Sequence, residues 1–223
     1  MSASVSIKHK KAGIMTEATM ADQKAAQTGK RAGGKRKRRL VVLAGPTAVG
    51  KGTVEKAVKA RHPELWISVS ATSRPPRPGE VDGKDYHFVS KAEFERMIDQ
   101  GELLEHAIVH RSDYYGTPLR PVLDHLNADL PSMLEIDVQG VHQVKVRSAE
   151  LGLDPIYVFL APPSFEDLRK RLAGRHTETP QQQERRLRTA RQELALEGEF
   201  DRVIVNDQVE KAASQLWEIL DQA

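Results

Sequence analysis

A chain of 223 residues, 39% hydrophobic and 29% charged, has the length and balance of one globular domain with room for a small insert. No apolar run reaches the roughly 18 residues that would span a bilayer, Met1–Ile7 lacks the apolar stretch of a secretory signal, and zero cysteines exclude disulfides, zinc–thiolate sites and thiol catalysis, as expected of a cytoplasmic protein. Residues 1–39 hold 11 Lys/Arg against 2 Asp/Glu, leaving 23 against 29 for residues 40–223, so the pI near 9.1 reflects a basic segment on a mildly acidic remainder.

The segment 1–39 is polar and ends in Gly29-Lys30-Arg31-Ala32-Gly33-Gly34-Lys35-Arg36-Lys37-Arg38-Arg39. Its composition predicts a disordered basic tail, either merely solvated or making a weak contact with nucleic-acid phosphates. Met15 and Met20 leave a later start open. From Leu40 the pattern changes. Leu40–Ala44 is a continuous apolar run, as in a strand buried on both faces of a parallel sheet. A Gly-rich turn and a helix near Lys51–Arg61 follow, then a strand over Leu65–Ser70 and a Pro/Gly-dense loop over Ser73–Lys84. Ser90-Lys91-Ala92-Glu93 reads as a capping box that opens a helix to about Gln100, with Gly101 as its stop. Leu103–Val109 and Tyr114–Thr117 read as strands of a small separate sheet, and Pro121 suits the first turn of a helix. Ser132–Ile136 and Ile156–Leu160 are short apolar strands, each leading to a helical pattern, the second capped by Ser164. Thr179-Pro180-Gln181-Gln182 starts an Arg-rich helix with a thin apolar stripe at Leu187, Ala190 and Leu194. Arg202–Val205 is a last strand and Val209–Leu220 a last helix. Strands alternating with helices predict an α/β domain over 40–223 with a mainly parallel sheet.

Gly45-Pro46-Thr47-Ala48-Val49-Gly50-Lys51-Gly52-Thr53 lies between the first strand and the first helix. Its glycines let backbone N–H groups turn inward around phosphate oxygens, and the helix N-terminus adds partial positive charge. Lys51 reaches the β- and γ-phosphates of a nucleotide in such a loop. The usual pattern has Ser or Thr directly after the lysine to ligate Mg2+; here Gly52 stands there and Thr53 follows, as in a loop of the adenylate kinase kind. Mg2+ is therefore expected to be held mainly through water and phosphates.

Arg74 and Arg77, stiffened by Pro75, Pro76 and Pro78, form a ready phosphate clamp, because guanidinium forks match phosphate oxygens. The stretch from Ser70 to Phe88, together with Gly101–Ala107, Tyr114–Thr117, Leu134-Glu135-Ile136-Asp137-Val138-Gln139-Gly140-Val141, Phe159–Ser164 and Val203–Asp207, closely resembles guanylate kinases, in order from about Leu40 to the C-terminus. The resemblance implies a P-loop kinase core flanked by helices, a β-rich GMP-binding insert at about 71–130 and a helical lid at about 171–190. It implies ATP and GMP as partners, with Mg2+ accompanying ATP. Arg74, Arg77, Tyr86 and Tyr115 would hold the GMP phosphate, Glu105 and Asp137 the guanine ring, with Ser70 and Thr117 adding polar contacts. Asn206 would flank the adenine, and the lid arginines Arg171, Arg175 and Arg186 would close over the phosphates. The interval from Glu105 to Tyr115 is about one residue longer than the family's, at His110–Asp113.

Elementary chemistry agrees with the guanine assignment. Guanine offers N1–H and an exocyclic amine to a carboxylate, whereas adenine presents an N1 lone pair there. Transfer from ATP to GMP needs positioning and charge neutralisation rather than a general base, because the acceptor phosphate is already a nucleophile. Three alternatives stand beside this reading: AMP, CMP or dTMP as acceptor, a peptide-binding module that has lost catalysis, and a nucleic-acid-binding protein led by its tail. The intact phosphate loop and both clamp arginines disfavour the second. Oligomeric state is not legible from pattern.

Overall fold

The computed structural model describes residues 38–109, 113–174 and 179–223. The tail, His110–Ser112 and Arg175 therefore lie outside the described residues, apart from Arg38 and Arg39. Those two were counted with the tail, yet both are fastened to the domain. Arg38 donates to the carbonyls of Asp129 and Leu220, and Arg39 pairs with Asp154 at 3.1 Å.

Five parallel strands form the main sheet: β1 (Val41–Ala44), β2 (Trp66–Ile67), β7 (Ser132–Glu135), β8 (Ile156–Ala161) and β9 (Arg202–Val205), in the order β2-β7-β1-β8-β9. The apolar run of β1 has the expected cause. Val41 and Leu43 face one buried cluster with Val54, Val58 and Leu216, while Val42 and Ala44 face another with Leu134, Val141 and Phe159. Both faces are covered by helices, so alternation is absent from the sequence. The helices are α1 (Lys51–Arg61), α3 (Leu119–Asn127), α4 (Val138–Glu150), α5 (Phe165–Ala173), α6 (Pro180–Leu194) and α7 (Val209–Gln222).

The predicted small sheet is present, with β3 (Ala71–Thr72), β4 (His87–Phe88), β5 (Leu103–Val109) and β6 (Asp113–Pro118) in the order β4-β3-β6-β5. Helix α2 (Lys91–Asp99) places Phe94 under it, fully buried with Ala71 and Leu103. The strand expected over Leu65–Ser70 is shorter. The chain leaves the main sheet after the Ser68 N–H meets the Met133 carbonyl, and enters the small sheet at Ala71. One extended segment thus serves two sheets. Ser90 caps α2 by accepting the Glu93 N–H at 3.1 Å, but Glu93 turns its carboxylate to Arg96, so the expected box is only half made. At Thr179 both halves form with Gln182.

Candidate active site

The carboxyl ends of β1, β7, β8 and β9 open onto one edge of the main sheet. The connections leaving the neighbouring strands β1 and β8 run to opposite sides there, toward β2 and β9, which makes a crevice where α/β sheets bind ligands. The phosphate loop fills it. Gly50 adopts φ 102°, and a Cβ there would meet the Asn206 amide nitrogen at 2.6 Å, so only glycine fits. Ala48 sits at φ 63°, which costs a non-glycine residue about 1–2 kcal/mol. Bonds to the loop hold it so. The Val49 carbonyl accepts from Asn206 Nδ2 at 2.8 Å and from Arg171 Nη1 at 3.0 Å, and Arg171 Nη2 donates to the Asn206 carbonyl at 2.8 Å. Lys51 Nζ donates to the Gly45 carbonyl at 2.7 Å.

A cavity of about 380 Å3 begins at Lys51 and is walled by Ser70, Tyr86, Glu105, Tyr115, Glu135 and Asp137. Lys51 of the phosphate loop and the residues expected to meet the acceptor therefore share one space. Glu105 is 8% exposed and accepts the Thr117 hydroxyl at 2.7 Å. Burial and the neighbouring Asp137 charge push its carboxyl up to about 7, against the Thr117 bond that lowers it. Asp137 caps α4, accepting the Gly140 N–H at 2.7 Å. Thr117 is fully buried behind Glu105 and supports the carboxylate rather than lining the wall.

The arginine clamp differs from expectation in one respect. Arg74 is 7% exposed and stands behind the cavity wall, with its fork spread over Glu80 at 2.7 Å on each arm. Its Nε donates to Tyr115 Oη at 2.9 Å, and its guanidinium lies 5.1 Å from the Tyr86 ring centre. Arg74 thus touches both wall tyrosines. Glu80 also accepts the Arg77 N–H at 2.7 Å, and these arginine contacts hold its carboxyl at about 2. The Arg77 side chain is exposed at the rim, and Arg186 is exposed on α6. Gly174 has an ordinary helical φ of −66°, so its conformational freedom is not used here.

Several groups at the site went unassigned in the sequence. Glu135 ends the strand beside β1, and its carboxylate lies 4.0 Å from where a Cβ on Gly52 would be. Its position at the end of the strand next to the phosphate-loop strand was the available signal. Glu55 shares a hydrogen bond with Glu135, and burial and that contact raise its carboxyl to about 8. Glu193 on α6 is 9% exposed, and burial raises its carboxyl above the ordinary value. No pattern marked Glu55, Glu80 or Glu193, because each partner is distant in sequence or lies within an irregular loop. Mg2+ fits this donor set. Hard carboxylate oxygens stand beside the loop, while among the described residues no group of three or more His, Cys, Asp and Glu forms a metal cage.

A glycine-rich phosphate cradle at the switch point of a parallel sheet, facing an acid-edged pocket on a small second sheet, defines a P-loop kinase of small phosphorylated acceptors. The guanylate kinase family model matches residues 37–223. The chain is 59% identical over 182 residues to the guanylate kinase of Bifidobacterium longum, covering 82% of this chain and 93% of that protein. It is 54% identical to that of Frankia casuarinae, covering 79% and 94%. The crystal structure of guanylate kinase from Anaplasma phagocytophilum superposes with a TM-score of 0.65 at 32% identity, covering 84% and 87%. The chain belongs to the guanylate kinase family.

Proposed function

We infer that the shared cavity transfers the γ-phosphate of ATP directly to the phosphate of GMP, giving ADP and GDP without a phosphoenzyme. One observation carries this most: Lys51, which addresses the donor phosphates, and Glu105 with Asp137, which fit the guanine edge, wall the same space. Ionised Glu105 accepts from guanine N1–H and its exocyclic amine, with Asp137 taking the second donor. Adenine would set a lone pair against a buried carboxylate, at a cost of several kcal/mol on the order of an unpaired buried charge. Ser70 adds a polar contact at the ring.

Tyr86, Tyr115 and Arg77 hold the GMP phosphate, and Arg74 acts with them through its contacts to both tyrosines. Because Arg74 Nε donates to Tyr115 Oη, the tyrosine hydrogen is free to point into the cavity. The amides of Ala48, Val49, Gly50, Lys51, Gly52 and Thr53 cradle ATP, with Gly45, Pro46 and Thr47 shaping the turn, and Asn206 bracing the loop beside the adenine. Arg171 braces the loop from α5, while Arg175 and Arg186 close over the phosphates. Glu135, beside the loop, would help to hold Mg2+, which when bound would supply charge neutralisation at the transferring phosphates. With GMP oxygen as the nucleophile, proton transfer is unnecessary and alignment of the two nucleotides supplies most of the rate.

Activity across GMP, AMP, CMP and dTMP tests the acceptor: GMP should exceed each of the others by at least about 100-fold in kcat/KM. Comparable turnover of AMP would contradict the role of Glu105. The cysteine-free chain is read as cytoplasmic, and no helix among the described residues is long and apolar enough to cross a membrane.

A further inference from the structure

Reading guanine requires two carboxylates at a set separation, yet Glu105 belongs to β5 of the small sheet and Asp137 to the cap of α4 on the main sheet. We propose that Gln143 is the positioning residue that fixes this separation and so tunes selectivity for the 2-amino edge of guanine. The proposal rests on the GMP reading above.

Gln143 lies in the second turn of α4, and its side-chain amide pairs with both main-chain groups of His106. Its Oε1 accepts the His106 N–H at 3.1 Å, and its Nε2 donates to the His106 carbonyl at 2.8 Å. Because β5 is the edge of the small sheet, these groups have no neighbouring strand, and the glutamine takes that strand's place. His106 directly follows Glu105. One turn nearer the helix start, Gly140 closes the same seam. A Cβ there would stand 3.1 Å from Glu105 Oε2 and 3.4 Å from Asp137 Oδ1, so the bare glycine lies against both carboxylates. Asp137, Gly140 and Gln143 recur at three-residue spacing on the side of α4 that meets β5. The helix therefore touches adjacent residues of β5 at two points, Glu105 through Gly140 and His106 through Gln143.

Such an amide pair determines how far β5 sits along and away from α4. Hydrogen bonds weaken steeply with misalignment, so a small drift of Glu105 would spoil the second guanine contact before the first. Gln143 is exposed, and water replaces its bonds when they are lost, so the pair contributes little to stability. Positioning and folding effects are thus separable.

The test compares kcat/KM for GMP with that for IMP, which keeps N1–H and lacks the 2-amino group, in the full-length protein. Gln143→Met preserves length and removes both hydrogen bonds. It should lower the GMP:IMP ratio by about 5–10-fold, through KM for GMP, while the KM for ATP stays within about 2-fold. Gln143→Glu keeps an acceptor for the His106 N–H and should also lower the ratio; it serves as the deciding variant should the methionine protein fail to fold. A lowered melting temperature with an unchanged ratio would make Gln143 a structural tie only and overturn the proposal. A wild-type protein that does not phosphorylate GMP would instead refute the functional reading itself.

Discussion

Glu105 is buried where a carboxylate is costly, and the proposed contact with guanine needs it charged. Its carboxyl titrates near 7 in the free protein, raised chiefly by burial, and only the ionised form can accept the guanine donors. Protonation below that point removes the acceptor. The kcat/KM for GMP should therefore climb about tenfold per pH unit below pH 7 and level off above it. In the Glu105→Gln variant this limb should flatten, with kcat/KM lowered by about 10–100-fold, the loss of one or two hydrogen bonds to a charged group. A profile that keeps the same limb in the variant would assign the titration to another group. The role proposed for Lys51 makes a different demand, positive charge at the donor phosphates. Lys51→Ala should reduce kcat at least about 1000-fold while GMP still binds, as calorimetry would show. Retained turnover would remove Lys51 from the chemistry.

At the scale of elements, the proposed function makes the small sheet the acceptor's platform, and Phe94 is the largest fully buried side chain packed against it. Phe94→Ala should cost about 3–5 kcal/mol locally and raise the KM for GMP more than that for ATP, measured by urea unfolding and steady-state kinetics. Equal changes in both constants would mean that the two sheets do not loosen independently. The elements themselves were largely legible. Apolar runs marked β1, β7 and β8, and Ser164 and Thr179 marked their helices, because capping and double-sided burial leave local signatures. Two features escaped. The extended segment after Leu65 divides between sheets, a choice made by tertiary pairing, and Glu93 turns to Arg96 three residues on in the same helix, one local contact displacing half of a local motif worth about 1 kcal/mol. The site was legible where a residue's chemistry sits in a dense motif, as at Lys51, and illegible where it depends on meeting across the fold. Arg74 behind Tyr115, Thr117 behind Glu105 and Gln143 on His106 are of that second kind.

For the molecule as a whole, the described packing and the family match both begin at the last residues of the basic segment. Removing residues 1–36 should leave GMP kinase rates within about 2-fold, with any salt-dependent RNA binding lost if the segment carries it. A large fall in kcat on deletion would give those residues a part in the reaction. Over residues 40–223 acidic residues outnumber basic ones, 29 to 23, so the excess positive charge belongs to the segment that the deletion removes. The proposed mechanism rests on Lys51 of the phosphate loop and the acids Glu105 and Asp137 opening onto one cavity. The decisive measurement supplies ATP, Mg2+ and GMP as sole acceptor and follows ADP and GDP together by phosphorus NMR. ADP and GDP should appear one for one, and no ADP should form when GMP is withheld; ADP release without GMP, or GMP left unphosphorylated, would contradict direct transfer between two nucleotides held face to face.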